Sequence, residues 1–199
     1  MERSIRLRGY FGIGVERISK SVNVGTLMRT AHAFGAGFVF SVDAVYSESE
    51  GSRSDTSNTT SHVPYYSFPD AASMVLPKNC ELVGIELLDE AKDLPSFRHP
   101  RRAAYVLGPE RGVLSPEMIE RCVYTVKIPM RFSVNLGIAG AIVMYDRMLN
   151  LGRYPARPLT PGRKVEELPA HEFGPPRLRS RLERHRTRPP AEGFDDAPV

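Results

Sequence analysis

Residues 128–150 read IPMRFSVNLGIAGAIVMYDRMLN, the most informative stretch of the chain. Residues 123–128 have the composition of a strand, and residues 135–149 have the spacing of a helix that begins shortly after it. This helix carries small residues in quick succession, at Gly137, Ala139, Gly140 and Ala141. Because glycine inside a helix costs roughly 1 kcal/mol relative to alanine, the run predicts close packing against another backbone, within or between subunits.

The preceding residues alternate between strand and helix patterns. Strands are predicted at residues 10–15, 38–42, 81–87, 103–107 and 123–128. Helices are predicted at residues 24–34 with Asn23 as the N-cap, at residues 70–76 opened by Pro69 or Asp70, and from Ser115 and Pro116 through Cys122. Residues 48–61 are rich in Ser, Thr, Asp and Gly, which predicts a mobile loop. Strands that alternate with helices predict an α/β fold built on a parallel sheet.

The amino-acid composition limits the classes of protein to which the chain can belong. The chain has 199 residues, of which 41% are hydrophobic, enough for one domain with a core plus an appendage. It has no apolar run of about 18 residues, and its first residues, MERSIRLRGY, lack the apolar segment of a signal peptide. We therefore expect a cytoplasmic protein without a membrane span. Cys80 and Cys122 stand far apart with no histidine pair nearby, so no metal site is expected.

The composition changes near Arg153. Residues 153–199 hold nine of the 17 prolines, ten of the 27 Lys and Arg, and seven of the 23 Asp and Glu, which leaves a net charge of +1 for residues 1–152. A segment with so few large apolar residues cannot offset its chain entropy. We predict a folded domain at residues 1–152, followed by a basic, proline-rich, flexible tail. The arginines of residues 177–188 suit either a solvated tail or a sequence-independent grip on phosphates.

Glycine-rich loops offer a familiar false lead. Gly12-Ile-Gly14 begins a GxG pattern, but Arg17 stands where a dinucleotide-binding fingerprint has its third glycine. The chain also lacks GKS and GKT, so it has no phosphate-binding loop of the NTPase kind. Neither nucleotide-binding class is supported.

The first of three unusual segments is NVGTLMRTA, residues 23–31. Asn23 and Arg29 stand six residues apart, nearly two helical turns, so they can face one cleft. An amide can hold a hydroxyl and a guanidinium can hold a phosphate, which suits a ribose-phosphate substrate. Taken alone, the spacing favours an ordinary N-cap and a surface arginine.

The second segment is LGPERGVLS, residues 107–115. Gly108 and Gly112 would allow the backbone to approach a ligand closely. Glu110 would follow the carboxyl end of a strand, where α/β proteins bind ligands. Taken alone, Glu110 is more typical of an ordinary acidic turn residue.

The third segment is IPMRFSVN, residues 128–135, which leads directly into the last predicted helix. Its backbone groups and the Ser133 hydroxyl would lie at the helix N-terminus. Taken alone, this is a capped helix after a strand.

In this order and at this spacing, the three segments resemble the SpoU/TrmH group of the SPOUT methyltransferases. The matching motifs are Asn23 with Arg29-Thr-Ala31, LGPE-G at residues 107–112, and IPM followed by S-x-N at residues 128–135. The resemblance covers roughly residues 8–152, and the combination is specific. The chain departs at Val134 and Gly137, where relatives often have Leu or Met and Ser. It lacks the separate N-terminal RNA-binding domain of some relatives, so it looks like a minimal member.

The resemblance implies a parallel-sheet SPOUT fold with a C-terminal deep trefoil knot, and a homodimer whose site is completed across the interface. S-adenosylmethionine would bind in the knot, with no metal required, and the partner would be tRNA or rRNA. The implied cofactor-binding residues are Glu86, Leu87, Gly108, Ile128, Met130, Ser133 and Asn135. The implied catalytic residues are Arg29, Asn23, Ser133 and Asn135, and those facing the RNA are Arg29, Glu110 and Arg111.

The implied reaction moves a methyl group from S-adenosylmethionine to a ribose 2′-hydroxyl. Arg29 would orient that hydroxyl and the adjoining phosphate, because a guanidinium with a pKa above about 12 is a poor base, and the proton acceptor stays open. Asn23 would help to hold the ribose. The alternatives are a SPOUT enzyme that methylates a base nitrogen, an RNA-binding or assembly protein without catalysis, and a nucleotide-binding α/β protein. The product nucleoside distinguishes the first alternative, and cofactor binding without methyl transfer the second.

Overall fold

The computed structural model describes residues 9–45, 62–152 and 154–165. Seven strands form one sheet in which all paired neighbours are parallel, in the order β3-β2-β1-β6-β4-β7-β5. The strands are β1 (Tyr10–Glu16), β2 (Phe38–Val42), β3 (Tyr65–Phe68), β4 (Glu81–Ile85), β5 (Lys92–Asp93), β6 (Arg102–Leu107) and β7 (Tyr124–Lys127). The predicted α/β fold with a parallel sheet is confirmed.

Three helices accompany the sheet: α1 (Ser21–Ala33), α2 (Pro116–Arg121) and α3 (Leu136–Leu151). The prediction of Asn23 as the N-cap of α1 is wrong. The N-cap is Lys20, which makes no side-chain cap bond, and Asn23 lies buried within the first turn. Ser115 caps α2 as predicted, because its Oγ accepts from Met118 N at 3.1 Å. Asn135, rather than Ser133, caps α3.

Residues 70–76 do not form the predicted helix. They form turns and irregular chain, in which Asp70 Oδ1 accepts from Ser73 N at 2.7 Å. This bond is that of an N-cap, but the turn is not continued as a helix, and Pro77 disfavours helical backbone at the residue before it. Two strands were not predicted from the sequence: β3, whose residues show no apolar alternation, and β5, which has only two residues. A short 3-10 turn, Leu94–Ser96, follows β5.

The core lies on both faces of the sheet. On one face, α1 and α3 pack through Leu27 and Val143 against Ile13. On the other face, α2 packs through Met118 in a cluster with Phe38 and Phe40. The two glycines of the false GxG pattern belong to β1 on this second face, where a Cβ on Gly12 would lie 2.2 Å from the Phe38 ring. These glycines make room for aromatic rings, not for a dinucleotide.

The small residues of α3 permit a close approach to α1. A Cβ on Gly137 would lie 2.7 Å from Thr26 Cγ2, and a Cβ on Gly140 would lie 2.7 Å from Leu27 Cδ1. The predicted close packing is therefore found within the chain. The atoms met are side chains of α1 and not its backbone. This contact holds the beginning of α3 beside the beginning of α1.

The chain divides into two compact units, Met1–Tyr154 and Pro155–Val199. Only residues 155–165 of the second unit are described, and they form turns and irregular chain. The predicted mobile loop at residues 48–61 and the arginine-rich residues 177–188 lie outside the described residues. In the described part of the chain, no helix is long and apolar enough to cross a membrane.

Candidate active site

The site lies at the carboxyl edge of the sheet, defined here as the edge where β1, β4, β6 and β7 end. Because neighbouring strands are parallel, the residues that follow these strands emerge side by side. They are Arg17, Glu86, Gly108 and Ile128. The second and third sequence segments therefore begin at one edge, and α1, which carries the first, starts four residues after β1 ends.

One chain of hydrogen bonds joins the three segments. Asn23 Nδ2 donates to Glu110 Oε1 at 2.8 Å, and Asn135 Nδ2 donates to Asn23 Oδ1 at 3.0 Å. Asn135 Oδ1 in turn accepts from Gly137 N at 2.8 Å, at the first turn of α3. The side chain of Asn23 thus connects the second segment, through its Nδ2, with the third segment, through its Oδ1.

Glu110 is fixed by further donors. Its Oε2 accepts from Ser19 N at 3.2 Å and from Ser19 Oγ at 3.1 Å. Burial raises the pKa of Glu110, but the hydrogen bonds from Asn23 and Ser19 outweigh it and hold that pKa below its usual value. Glu110 is therefore an ionised acceptor near neutral pH and a weak base.

Two residues that the sequence analysis did not select brace the loop between β6 and α2. Glu16, which is only 3% exposed, accepts from Ser115 N at 2.7 Å and from Ser115 Oγ at 2.5 Å. Its neighbour Arg17 has a φ of 50° and donates from Nη2 to Val113 O at 2.7 Å. A glutamate at the end of an otherwise apolar strand is the signal that could have identified this brace.

Glu86 braces the same loop from β4. Its Oε1 accepts from Leu87 N at 2.9 Å, and its Oε2 accepts from Leu114 N at 2.8 Å. A Cβ on Gly108 would lie 2.4 Å from Glu86 Oε2. Any larger residue at position 108 would displace this carboxylate.

Apolar side chains stand beside these braces. Ile128 is buried, and Met130 packs against the core as a partly buried residue. Leu87 is 48% exposed, and Ser133 is exposed. The carboxyl edge therefore combines apolar surface, backbone groups and an ordered carboxylate network.

The two arginines predicted to face the RNA are both exposed. Arg29 and Asn23 share α1, but six residues at 100° each place them about 120° apart around its axis, and only Asn23 is buried. Arg111 lies on the exposed side of the loop, directly after Glu110. The described residues contain no group of three or more His, Cys, Asp or Glu side chains placed to hold a metal ion.

The sequence of residues 11–145 matches the model of the SpoU rRNA Methylase family. The chain belongs to this family. No curated protein sequence is significantly similar to the chain.

Solved structures share the fold. The SpoU methyltransferase AviRb from Streptomyces viridochromogenes is 23% identical with a TM-score of 0.62, and the match covers 73% of this chain and 61% of AviRb. AviRb is also known in complex with the cofactor AdoMet. A protein described for the 2-OH methylation of C/U34 on tRNA is 22% identical with a TM-score of 0.63, over 72% of this chain and 97% of that one. The TrmH/SpoU tRNA modifying enzyme of A. aeolicus is 18% identical with a TM-score of 0.58, over 72% of this chain and 77% of that one.

These likenesses concern the fold. The chain spans about three fifths of the length of AviRb, but nearly the whole of the protein described for 2-OH methylation. The segments that the sequence analysis selected lie within the matched family region and meet at the carboxyl edge of the shared sheet.

Proposed function

We propose that this protein transfers a methyl group from S-adenosylmethionine to a ribose 2′-hydroxyl of tRNA or rRNA. The observation that carries the proposal is the hydrogen-bond chain from Glu110 through Asn23 to Asn135. It links the segment that would face the ribose to the segment that would line the cofactor site. Membership of the SpoU rRNA Methylase family supports methyl transfer to RNA. The fold shared with the protein described for 2-OH methylation on tRNA favours the ribose as acceptor.

The carboxyl edge suits S-adenosylmethionine. Leu87, Ile128 and Met130 offer apolar side chains for a heterocyclic base, and glycine at position 108 leaves room for the Glu86 carboxylate beside them. Backbone groups beside these residues, with Ser133 and Asn135, would hold the polar parts of the cofactor. Glu86 would act indirectly, because one of its oxygens accepts from Leu114 N in the loop and the other accepts from Leu87 N. When bound, the cofactor supplies a methyl group already activated on a sulfonium.

The residues on the RNA side would position the acceptor. Asn23 is held on both sides by Glu110 and Asn135, so its amide has little freedom to turn. Such preorganisation favours a reactive geometry, which can supply much of the acceleration of a group transfer. Exposed Arg29 and Arg111 would hold phosphates and orient the hydroxyl. Glu110, whose lowered pKa makes it a weak base, would position Asn23 and not accept the proton.

The described chain leaves an apolar face of α3 and α1 exposed, and a second copy of the chain in a homodimer would cover it. Ile138, Tyr145 and Leu149 follow one another at spacings of seven and four residues, so they share one side of α3. Each is exposed, and Val22 on the neighbouring α1 is 69% exposed. An apolar face of this kind on two packed helices is typical of a subunit interface. A second copy of this chain would cover it close to Asn23 and Asn135.

The remaining parts of the proposal concern chain organisation. Residues 1–152 would form the catalytic domain with a C-terminal trefoil knot, and the basic tail of residues 153–199 would add contacts to RNA. Deleting residues 160–199 is expected to weaken RNA binding and its salt dependence while cofactor binding is kept. Unchanged RNA binding after the deletion would exclude a role of the tail.

The deciding experiment supplies purified protein with S-adenosylmethionine carrying a labelled methyl group and with bulk tRNA or rRNA. Digestion to nucleosides is expected to place the label on the ribose. Label found on a base and none on ribose would overturn the proposal in favour of base methylation. Cofactor binding by calorimetry without transfer to any RNA would favour a non-catalytic RNA-binding protein.

A further inference from the structure

A basic segment lies at the opposite edge of the sheet from the candidate site. Residues 98–102 read RHPRR and connect the 3-10 turn to β6. Arg98, Arg101 and Arg102 are exposed. Lys92 of β5 is also exposed; its backbone pairs with Val126 near the carboxyl end of β7, but its Nζ reaches back to the ring of Tyr124 at the start of β7. We call these four cations the amino-edge cations. β6 separates Arg102 from Gly108 by about 20 Å at roughly 3.3 Å per residue, so one RNA molecule can reach both edges.

The amino-edge cations are not neutralised by neighbouring carboxylates. Within residues 9–45, 62–152 and 154–165, none of the four cations forms a salt bridge, and the contact of His99 with Asp146 is a hydrogen bond while His99 is neutral. Nearby acids are Glu81, Asp93 and Asp146. The four exposed cations and the buried Arg147 outnumber these three anions, on a domain whose residues 1–152 carry a net charge of only +1.

The backbone of the basic segment is hydrogen-bonded to a buried arginine side chain. Arg147, which is fully buried, donates to Pro100 O at 2.6 Å, to Arg101 O at 2.9 Å and to Tyr10 O at 3.2 Å. Tyr10 N also donates to Arg101 O at 3.1 Å. A Cβ on Gly9 would collide with that same carbonyl. Burying a guanidinium costs free energy unless its N–H groups are hydrogen-bonded. Because Arg147 donates to two carbonyls of the basic segment, these bonds fix the position of that segment.

A second set of buried bonds completes this support. Tyr105 Oη accepts from Arg147 Nη1 at 3.0 Å and lies 2.6 Å from His99 Nδ1. His99 Nε2 lies 2.9 Å from Asp146 Oδ2. His99, the second residue of the basic segment, is therefore anchored in the core, while the three arginines of the segment are exposed.

The surface beside the basic segment is concave. A cavity of about 400 Å³ is bordered by Lys92, Arg98, Phe97 and Tyr124. Lys92 Nζ lies 5.1 Å from the centre of the Tyr124 ring, which keeps this cation at the rim. Glu81 also borders the cavity, so its rim carries two cations and one anion. A net positive charge around a concavity gives a stronger local field than the same charge on a convex face.

We infer that the amino-edge cations form a second RNA-binding surface, which holds phosphates of the substrate away from the place of methyl transfer. This inference rests on the proposed RNA substrate. The arginine guanidinium matches phosphate geometry, and the hydrogen-bonded backbone of the basic segment fixes where these side chains emerge. Contacts with phosphates position an RNA without reading its sequence. The surface therefore affects affinity for RNA and not the chemical step.

The test compares the full chain with Arg101→Gln/Arg102→Gln and with the charge-preserving pair Arg101→Lys/Arg102→Lys. Binding of bulk tRNA and of rRNA is measured over a range of salt concentrations, together with methyl-transfer kinetics. We expect the glutamine pair to bind about tenfold more weakly and the slope of log affinity against log salt to shrink by about one to two. KM for RNA rises accordingly, and kcat at saturating RNA stays as in the native chain. The lysine pair keeps the salt slope.

Unchanged affinity and salt slope in the glutamine pair overturn the inference, even if the native chain methylates RNA. A native chain that binds RNA but does not methylate it, with binding weakened in the glutamine pair, supports this surface and contradicts the proposed function. A native chain that binds no RNA overturns both. The exposed side chains at 101 and 102 are outside the core, and the supporting bonds use backbone atoms, so the melting temperature checks that both pairs fold.

Discussion

The side-chain amide of Asn135 donates to Asn23 Oδ1 at 3.0 Å, across 112 positions of sequence. The bond ties the N-cap of α3 to a buried residue in the first turn of α1. Asn23 passes the connection on to Glu110. A change at any of these three residues should therefore reach the other two, and the predictions for the site follow from this coupling.

Replacing Asn23 by alanine removes both the donor to Glu110 and the acceptor for Asn135. We expect kcat/KM for methyl transfer to fall by about 100-fold or more, since a small misplacement of reacting groups has an effect of this size. Asn135→Ala should have a similar effect. The double variant should lose little more activity than either single variant, because each single substitution already breaks the hydrogen-bond chain.

Asn23→Asp is the matched control for this prediction. It keeps the shape and the acceptor oxygen but replaces the donor to Glu110 with a second carboxylate. We expect it to be as inactive as Asn23→Ala, while circular dichroism shows an intact fold for all variants. Strictly additive losses in the double variant would contradict a coupled chain.

Glu110 predicts a pH dependence of stability. Its pKa in the folded protein lies below the ordinary value of 4.5, so folding favours the ionised form. The stabilisation is present above pH 4.5 and is lost as the pH falls through the lower folded pKa. Glu110→Gln, which cannot ionise, should flatten this part of the curve of melting temperature against pH. A native chain and a variant with parallel curves below about pH 5 would count against the assignment.

The sequence was sufficient to predict the class of the fold and the regions of the site. Residues 128–135 and 107–112 each follow a strand, so a parallel sheet necessarily brings them to one edge. The local role of Asn23 was beyond prediction, because a polar residue near a helix start is ordinarily a cap, and only tertiary packing decides that it is buried instead. The knot stays a prediction of the family resemblance, since no periodicity in a sequence encodes the threading of a chain.

The contacts of Glu16 and Arg147 could not be predicted from the sequence for a related reason. Glu16 bonds Ser115 over 99 positions, and Arg147 bonds Tyr10 over 137. A charge inside an apolar strand or helix is visible in the sequence, but its partner is not. The unpredicted strand β3 and the absent helix at residues 70–76 reflect the weakness of local patterns in short elements that depend on neighbouring strands.

Gly108→Ala tests the brace formed by Glu86. The added Cβ would lie 2.4 Å from Glu86 Oε2, so the carboxylate must move and its bond to Leu114 N must break. We expect the affinity for S-adenosylmethionine, measured by calorimetry, to fall about tenfold or more. Gly37→Ala is the control, because its Cβ would meet only Phe11 O at an ordinary 3.6 Å. Equal cofactor affinity in both variants would exclude Gly108 from the site.

His99 predicts a second, separate pH dependence of stability. Burial lowers the pKa of His99 below 6.5, although the bond to Asp146 opposes this shift. The unfolded chain therefore binds a proton more readily than the folded one. Stability is full above pH 6.5 and falls as the pH drops toward the folded pKa, a window that begins above that of Glu110. In His99→Gln, the free energy of unfolding should lose its dependence on pH just below 6.5 and keep the Glu110 part. A native chain equally stable on both sides of this window would refute the prediction.

Ile138→Asp tests the proposed dimer. The side chain is 53% exposed on the apolar face of α3, in the first turn of that helix, so a carboxylate there would be buried without a partner in a dimer but solvated in a monomer. We expect the dissociation constant measured by analytical ultracentrifugation to rise roughly thirtyfold or more, the effect of losing a strongly contributing interface residue. Methyl transfer should fall in parallel at low protein concentration, because the site is then incomplete. Val75→Asp is the matched control, since Val75 is 75% exposed in the irregular chain before β4 and outside that face. A native chain that sediments as a monomer and transfers methyl groups would rule out a shared site.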